Sequence, residues 1–156
     1  MVSPERLRRY PIFSTLTDGQ IKAISMIAEN KEAEKGKVIL EECGTADYLY
    51  LLEEGGLELF FTVRDEYRPE LNKEYFVGEI GPGEIFGVSA LIEPFVYSSS
   101  VRASANCKYI EIDGQSLRAL FTQDTNLAYK MMHQVAKAVI ERLAATRVQL
   151  AAAWAQ

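Results

Sequence analysis

The side chains able to do chemistry are few and scattered. A single histidine, His133, occurs in 156 residues and lies between Met132 and Gln134. A catalytic base or metal ligand needs a second imidazole, a thiolate or a carboxylate at ligand spacing, and none accompanies it. His133 therefore reads as a structural histidine. Cys43 and Cys107 stand far apart without metal-ligand neighbours, the pattern of reduced structural thiols. Cys43 and His133, the imaginable haem ligands, both lack the supporting neighbour that such a ligand would need. The carboxylate pairs Glu41-Glu42 and Glu53-Glu54 point to opposite faces if they lie on strands, so they make no acid/base dyad. G-x-S-x-G, H-E-x-x-H and G-x-x-x-x-G-K-[ST] are all missing. No catalytic nucleus and no metal site is visible, and the chain reads as a binding protein rather than an enzyme.

One segment does suggest ligand chemistry: Gly81-Pro82-Gly83-Glu84-Ile85-Phe86-Gly87-Val88-Ser89-Ala90-Leu91-Ile92, followed by Tyr97-Ser98-Ser99-Ser100-Val101. Two glycine-containing turns bracket an apolar pair, and Ser89-Ala90-Leu91-Ile92 can begin one helical turn. Glycine lets backbone approach closely, and free N–H groups at a helix start attract small anions. The serine run adds hydroxyl donors. Such loops also occur for shape alone, so the segment by itself carries only a hint of phosphate or carboxylate binding.

Three zones must position it. From about Pro4 to Asn30, Leu7, Tyr10, Ile12 and Phe13 precede a break, and Thr17-Asp18-Gly19-Gln20 has the form of a capping box with Thr17 as N-cap. Behind it Ile21, Ile24, Ile27 and Ala28 fall on one face of a short amphipathic helix. From about Glu32 to Ile112, short β-branched and aromatic runs are punctuated by Gly and Pro: Val38–Leu40, Tyr48–Leu52, Leu57–Val63, Glu74–Val77, Ser99–Ala103 and Lys108–Ile112. Many short strands at turn-like spacing predict a sandwich or barrel. The charged stretch from Arg64 to Lys73 is an exposed hairpin loop. After a short helix near Ser116 to Thr122, Asp124-Thr125-Asn126 caps about thirty residues without Gly or Pro. Met132, Ala136, Val139, Leu143, Thr146, Leu150 and Ala153 form a stripe at alternating spacings of four and three. That stripe suits packing on a partner helix or along the chain's own barrel, and a helix of roughly 45 Å would overrun so small a barrel.

Size and charge set the bounds. The hydrophobic content of 48% and charged content of 25% suit one compact domain, divided into an N-terminal helical part (1–31), a β-barrel (32–112) and C-terminal helices (113–156). A net charge of −5 argues against a dedicated nucleic-acid surface. The N-terminus is basic but has no apolar core behind it, and no run reaches membrane-spanning length, so a cytoplasmic protein without a membrane segment is expected.

The ordered set Leu16-Thr17 with the Ile21 to Ile27 helix, Lys35-Gly36-Lys37-Val38-Ile39, Gly44 to Gly55, Gly81 to Gly87 and a final helix with Glu141-Arg142-Leu143 resembles the cyclic-nucleotide-binding domain family. That family serves catabolite-activator-type regulators, kinase regulatory subunits and cyclic-nucleotide-gated channels. The resemblance spans nearly the whole chain and implies a mainly β fold: a jelly-roll barrel flanked by N-terminal helices and a long C-terminal helix. It makes the segment after Phe86-Gly87 the phosphate-binding cassette. The ligand contacts it implies fall among Phe86, Gly87, Val88, Ser89, Ala90, Leu91, Tyr97, Ser98, Ser99 and Ser100.

The cassette is divergent. Members of the family place a Glu directly after Phe-Gly for the ribose hydroxyl and an Arg before a small-residue pair for the cyclic phosphate; here those positions hold Val88 and Tyr97. Each charge-assisted bond lost weakens binding by about 1.5–3 kcal/mol, which makes ordinary affinity for cyclic AMP or cyclic GMP doubtful. Arg102 sits an odd number of strand positions from Tyr97 and should face the other way. Two classes of function follow. One is a sensor that binds a small-molecule effector, less anionic and more apolar, with Val88 as wall and the Tyr97 phenol as a hydrogen-bonding group. The other is a domain without nucleotide, acting as a partner-binding or homodimerisation module through the C-terminal helix, with Trp154 as a candidate anchor. A transcription-regulator sensor lacking its DNA-binding part is the further alternative: no helix-turn-helix segment precedes Gln156, so no direct DNA binding by this chain is expected.

Overall fold

The computed structural model describes residues 1–155; Gln156, the end of the expected helical zone, lies outside them. The capping box forms: the Thr17 hydroxyl accepts from the Gln20 N–H at 3.2 Å and the Gln20 side chain accepts from the Thr17 N–H at 3.0 Å. It starts helix α2 (Asp18–Met26), which follows α1 (Pro4–Arg8) and a 3₁₀ turn at Pro11–Phe13. The eight strands are β1 (Ala28–Ala33), β2 (Val38–Leu40), β3 (Tyr48–Glu54), β4 (Leu57–Val63), β5 (Lys73–Ile80), β6 (Ile85–Phe86), β7 (Ser100–Ala103) and β8 (Cys107–Asp113). Helices α3 (Gly114–Gln123) and α4 (Thr125–Trp154) complete the chain.

The strands form two antiparallel sheets, in the orders β1-β8-β3-β6 and β2-β7-β4-β5, the jelly-roll barrel expected from the sequence. Strand β3 explains why its sequence, Tyr48-Leu49-Tyr50-Leu51-Leu52, is apolar without alternation. Leu49 and Leu51 face the helices while Tyr50 and Leu52 face the barrel interior, so both sides of the strand are buried. The charged loop between β4 and β5 is exposed as expected, with a 3₁₀ turn at Pro69–Leu71.

Two expectations need correction. Ala28 is not on the face of α2: the helix ends at Met26, and Ala28 pairs with Ile112 at the start of β1. The barrel therefore begins at Ala28 rather than at residue 32. Glu29-Asn30-Lys31-Glu32 has little strand propensity of its own, and pairing with β8 overrides that. The second correction concerns α4. Its docked face runs through Leu127, Met131 and Val135, all buried, with Ala138 packed beside them, one position off the stripe read from the sequence. That stripe is mostly exposed, including Val139, Leu143 and Leu150.

Asp124 caps α4, its carboxylate accepting from the Leu127 N–H at 3.0 Å. From α2, the Gln20 amide donates to Asp124 Oδ2 and Asn126 Oδ1, each at 3.1 Å. The N-terminal helices thus hold the junction from which the long helix leaves.

Candidate ligand-binding site

The cassette starts where β6 stops. Gly87 adopts φ +72°, and a Cβ there would lie 2.9 Å from the Tyr50 ring and 3.0 Å from the Tyr48 carbonyl oxygen. Only glycine lets β6 turn so tightly against β3. The expected helical turn is a 3₁₀ turn at Val88–Leu91, too short to carry a useful dipole. The following loop is pinned by backbone bonds from Ala46 N–H to Phe95 C=O and from Cys43 N–H to Tyr97 C=O, both 2.8 Å. Arg118 of α3 donates to the Ala90 carbonyl at 2.6 Å and lies over the Phe95 ring at 4.1 Å. Sequence reasoning gave Arg118 no role; it ties the cassette to the helix pair.

A cavity of about 300 Å³ opens beside the cassette, at the small end of ligand sites. Gly87, Val88, Ser89, Tyr97, Ser98 and Ser99 line it from one side, and Val139, Arg142, Leu143 and Thr146 of α4 close the other. Four of the residues expected to touch ligand do not line it. Phe86 is fully buried and stacks on Tyr50 with ring centroids 4.8 Å apart. Ala90 is buried in the barrel core, and Leu91 packs on the helix side. Ser100 is buried, and its hydroxyl accepts from the Glu42 N–H at 2.9 Å. Strand alternation and the winding of the short turn send these side chains into the core instead.

Comparison with known proteins agrees with this geometry. Residues 30–124 match the cyclic nucleotide-binding domain family. The chain belongs to that family. A crystallised protein of Geobacter metallireducens GS-15, provisionally named a cyclic nucleotide-binding protein, is 43% identical with a TM-score of 0.79, covering 92% of this chain and 99% of that one. The regulatory domain of Toxoplasma gondii PKA, crystallised with cAMP, shares the fold at 18% identity and a TM-score of 0.70, over 88% of this chain and 48% of that one. Among curated proteins, one from Rhodopseudomonas palustris, provisionally named a potassium channel protein, is 28% identical over 84% of this chain. The chain matches only 30% of that relative's length.

Within this cyclic nucleotide-binding domain, the two substituted cassette positions behave differently. Val88 lines the cavity and adds apolar wall, as expected. Tyr97 lines it too, but its hydroxyl donates to the Tyr48 carbonyl at 2.8 Å and accepts from the Tyr48 N–H at 3.3 Å. The phenol that was to bond a ligand is already engaged in fastening the cassette to β3. Burial raises the Tyr97 pKa, an effect its bonds to Tyr48 and Tyr50 partly offset. Arg102 points outward as expected: it pairs with Glu58 at 2.7 Å and Glu74 at 3.1 Å and covers the Phe60 ring at 4.4 Å.

The sequence reading also assigned no site role to Arg142. Val135, Ala138 and Arg142 recur at helical spacing, so the docked face of α4 carries the guanidinium to the barrel mouth, where it donates to the Ile85 carbonyl. Among the described residues no group of His, Cys, Asp and Glu is placed to hold a metal ion, and no helix is long and apolar enough to cross a membrane.

Proposed function

We propose that this domain is a regulatory sensor that binds a small effector in the barrel cavity and signals through α4. The observation that carries the reading is that cassette residues and α4 residues wall the same cavity: Val88, Ser89, Ser98 and Ser99 face Val139, Leu143 and Thr146 across it. A ligand there touches both, and it shifts the population toward whichever helix position gives the better contacts. The hinge is the α3–α4 junction at Asp124–Leu127, held by Gln20, and Arg118 relays movement of the cassette to α3. The Toxoplasma relative, which holds cAMP in the same fold, supports a nucleotide-sized ligand; the uncharged cassette argues for weaker or altered nucleotide recognition.

Calorimetric titration with cyclic AMP and cyclic GMP, beside a thermal-shift screen of small anionic metabolites, tests the reading. Micromolar binding of either nucleotide, or a clear shift with another metabolite, is the expected result. A flat response to all of them would sink it.

A second reading rests on a separate observation. Beyond Val135, α4 exposes Val139, Ile140, Leu143, Val148, Leu150 and Trp154, of which Val139 and Leu143 also line the cavity. Exposed apolar side chains on a helix are of the kind that pairs with another helix. In this reading the helix mediates pairing with a second copy of the chain.

A further inference from the structure

Arg142 is the only charged residue among those lining the cavity. It occupies a position that the spacing of Leu127, Met131, Val135 and Ala138 reserves for an apolar side chain. Removal from water pushes its pKa down, and the negative charges of Glu84 and Glu141 oppose that shift. Both carboxylates line a neighbouring cleft of about 280 Å³ and not this cavity, and Arg142 stands between the two, lining both. Neither forms a salt bridge with Arg142 among the described residues. The bond to the Ile85 carbonyl occupies one of five guanidinium donors. A half-buried guanidinium whose hydrogen-bond partner is a neutral carbonyl has donors left to offer an anion. A planar guanidinium is the group best shaped to grip a phosphoryl group through two parallel bonds.

We propose that Arg142 supplies, from the helix, the positive charge that the cassette lacks, and takes the phosphoryl group of a small ligand in the barrel cavity. The inference rests on the sensor reading and deepens it. The hydroxyls of Ser89, Ser98 and Ser99 line the same space and add donors. With the charge on α4 instead of the barrel, gripping the ligand and fixing the helix become one contact, so affinity and helix position are coupled directly.

The test compares wild type, Arg142→Gln and Arg142→Lys in calorimetric titrations with cyclic AMP, cyclic GMP and the phosphate-free nucleoside adenosine. The expected result is that wild type binds a cyclic nucleotide, Arg142→Gln weakens that binding by about tenfold or more, and Arg142→Lys weakens it less. Amide hydrogen exchange over residues 139–147 should slow with nucleotide in wild type and not in Arg142→Gln. Equal nucleotide affinity in wild type and Arg142→Gln would overturn this inference and leave the sensor reading standing. Binding of adenosine without either cyclic nucleotide would do the same. Silence from wild type toward every one of these probes would overturn this inference, while the sensor reading falls only if the metabolite screen is silent as well. Should Arg142→Gln fail to fold, Arg142→Lys decides: unchanged affinity overturns the proposal and weakened affinity supports it.

Discussion

Strands β3 and β8 separate two interiors packed by different chemistry. Toward the helices they send Leu49, Leu51, Ile110 and Ile112, which meet Leu7, Phe13, Ile21, Ile24, Leu117 and Leu127. Apart from Phe13 these residues are aliphatic and all are buried, with Tyr10 and Phe121 at the edge of the cluster. Toward the barrel the same strands send Tyr50, Leu52 and Tyr109, which meet Phe86 and Tyr97. Tyr50 stacks on Phe86 at 4.8 Å and meets Tyr109 edge-on at 5.8 Å. Aliphatic packing without polar atoms tolerates no gap, so the helix side serves as a fixed frame. The barrel side mixes rings and hydroxyls and leaves a cavity at its mouth, where contents can be exchanged without breaking the frame.

Truncation on the aliphatic side should have the largest effect. Ile110→Ala empties a fully buried site and should cost about 2–5 kcal/mol, read as a lower urea midpoint. A cost below about 1 kcal/mol would mean that this side repacks freely and that the contrast is false.

Alkaline pH should act chiefly on the other side, which holds three of the raised phenols, while Tyr10 packs on the helix side. Burial raises Tyr50, Tyr97 and Tyr109 in the barrel. At the N-terminal helices, burial and the bond to Glu53 push Tyr10 up to about 12. Phenols in the unfolded chain titrate near 10, so above that pH the folded state keeps protons that the unfolded state has lost. Stability should be level below about pH 10 and fall as pH rises through the folded values. Urea midpoints across that range, followed with tyrosinate absorbance, give the check. A midpoint that holds steady up to about pH 12 would remove the distinction between the two interiors.

The smallest effect on stability belongs to the exposed positions of α4 beyond Val135. Leu143→Glu with Leu150→Glu alters side chains that are 48% and 58% exposed, so the melting free energy should move by no more than about 0.5 kcal/mol. Sedimentation of the same double variant tests pairing through the helix, which predicts a dimer in wild type and a monomer in the variant. An unchanged sedimentation pattern would set that second reading aside.

Much of the frame could be read from residue order. Thr17 and Gln20 give a capping box, Asp124 gives a cap, and the runs around Val38, Leu49, Phe60 and Ile110 give strands, because each signal depends on neighbours within a few positions. β1 could not be read this way, since Glu29 to Glu32 carry no strand pattern and become a strand only against β8. The cassette was legible through Phe86-Gly87 and the serine run, yet which of its side chains reach the cavity was not. The backbone turn at Gly87 and the bond from Tyr97 to Tyr48 decide that.

By itself, the sequence determined the element order, the glycine at the cassette turn and the uncharged Val88 and Tyr97 in the cassette. These are properties of residue type, fixed before anything folds. Only the tertiary structure decided that Arg142 lies at the barrel mouth, that Arg118 holds the cassette, and that the docked face of α4 lies one position from the stripe suggested by heptad spacing. Adjacent positions on a helix differ by about 100° in direction. On a helix with apolar residues on several faces, the surface it packs against chooses which of them is buried.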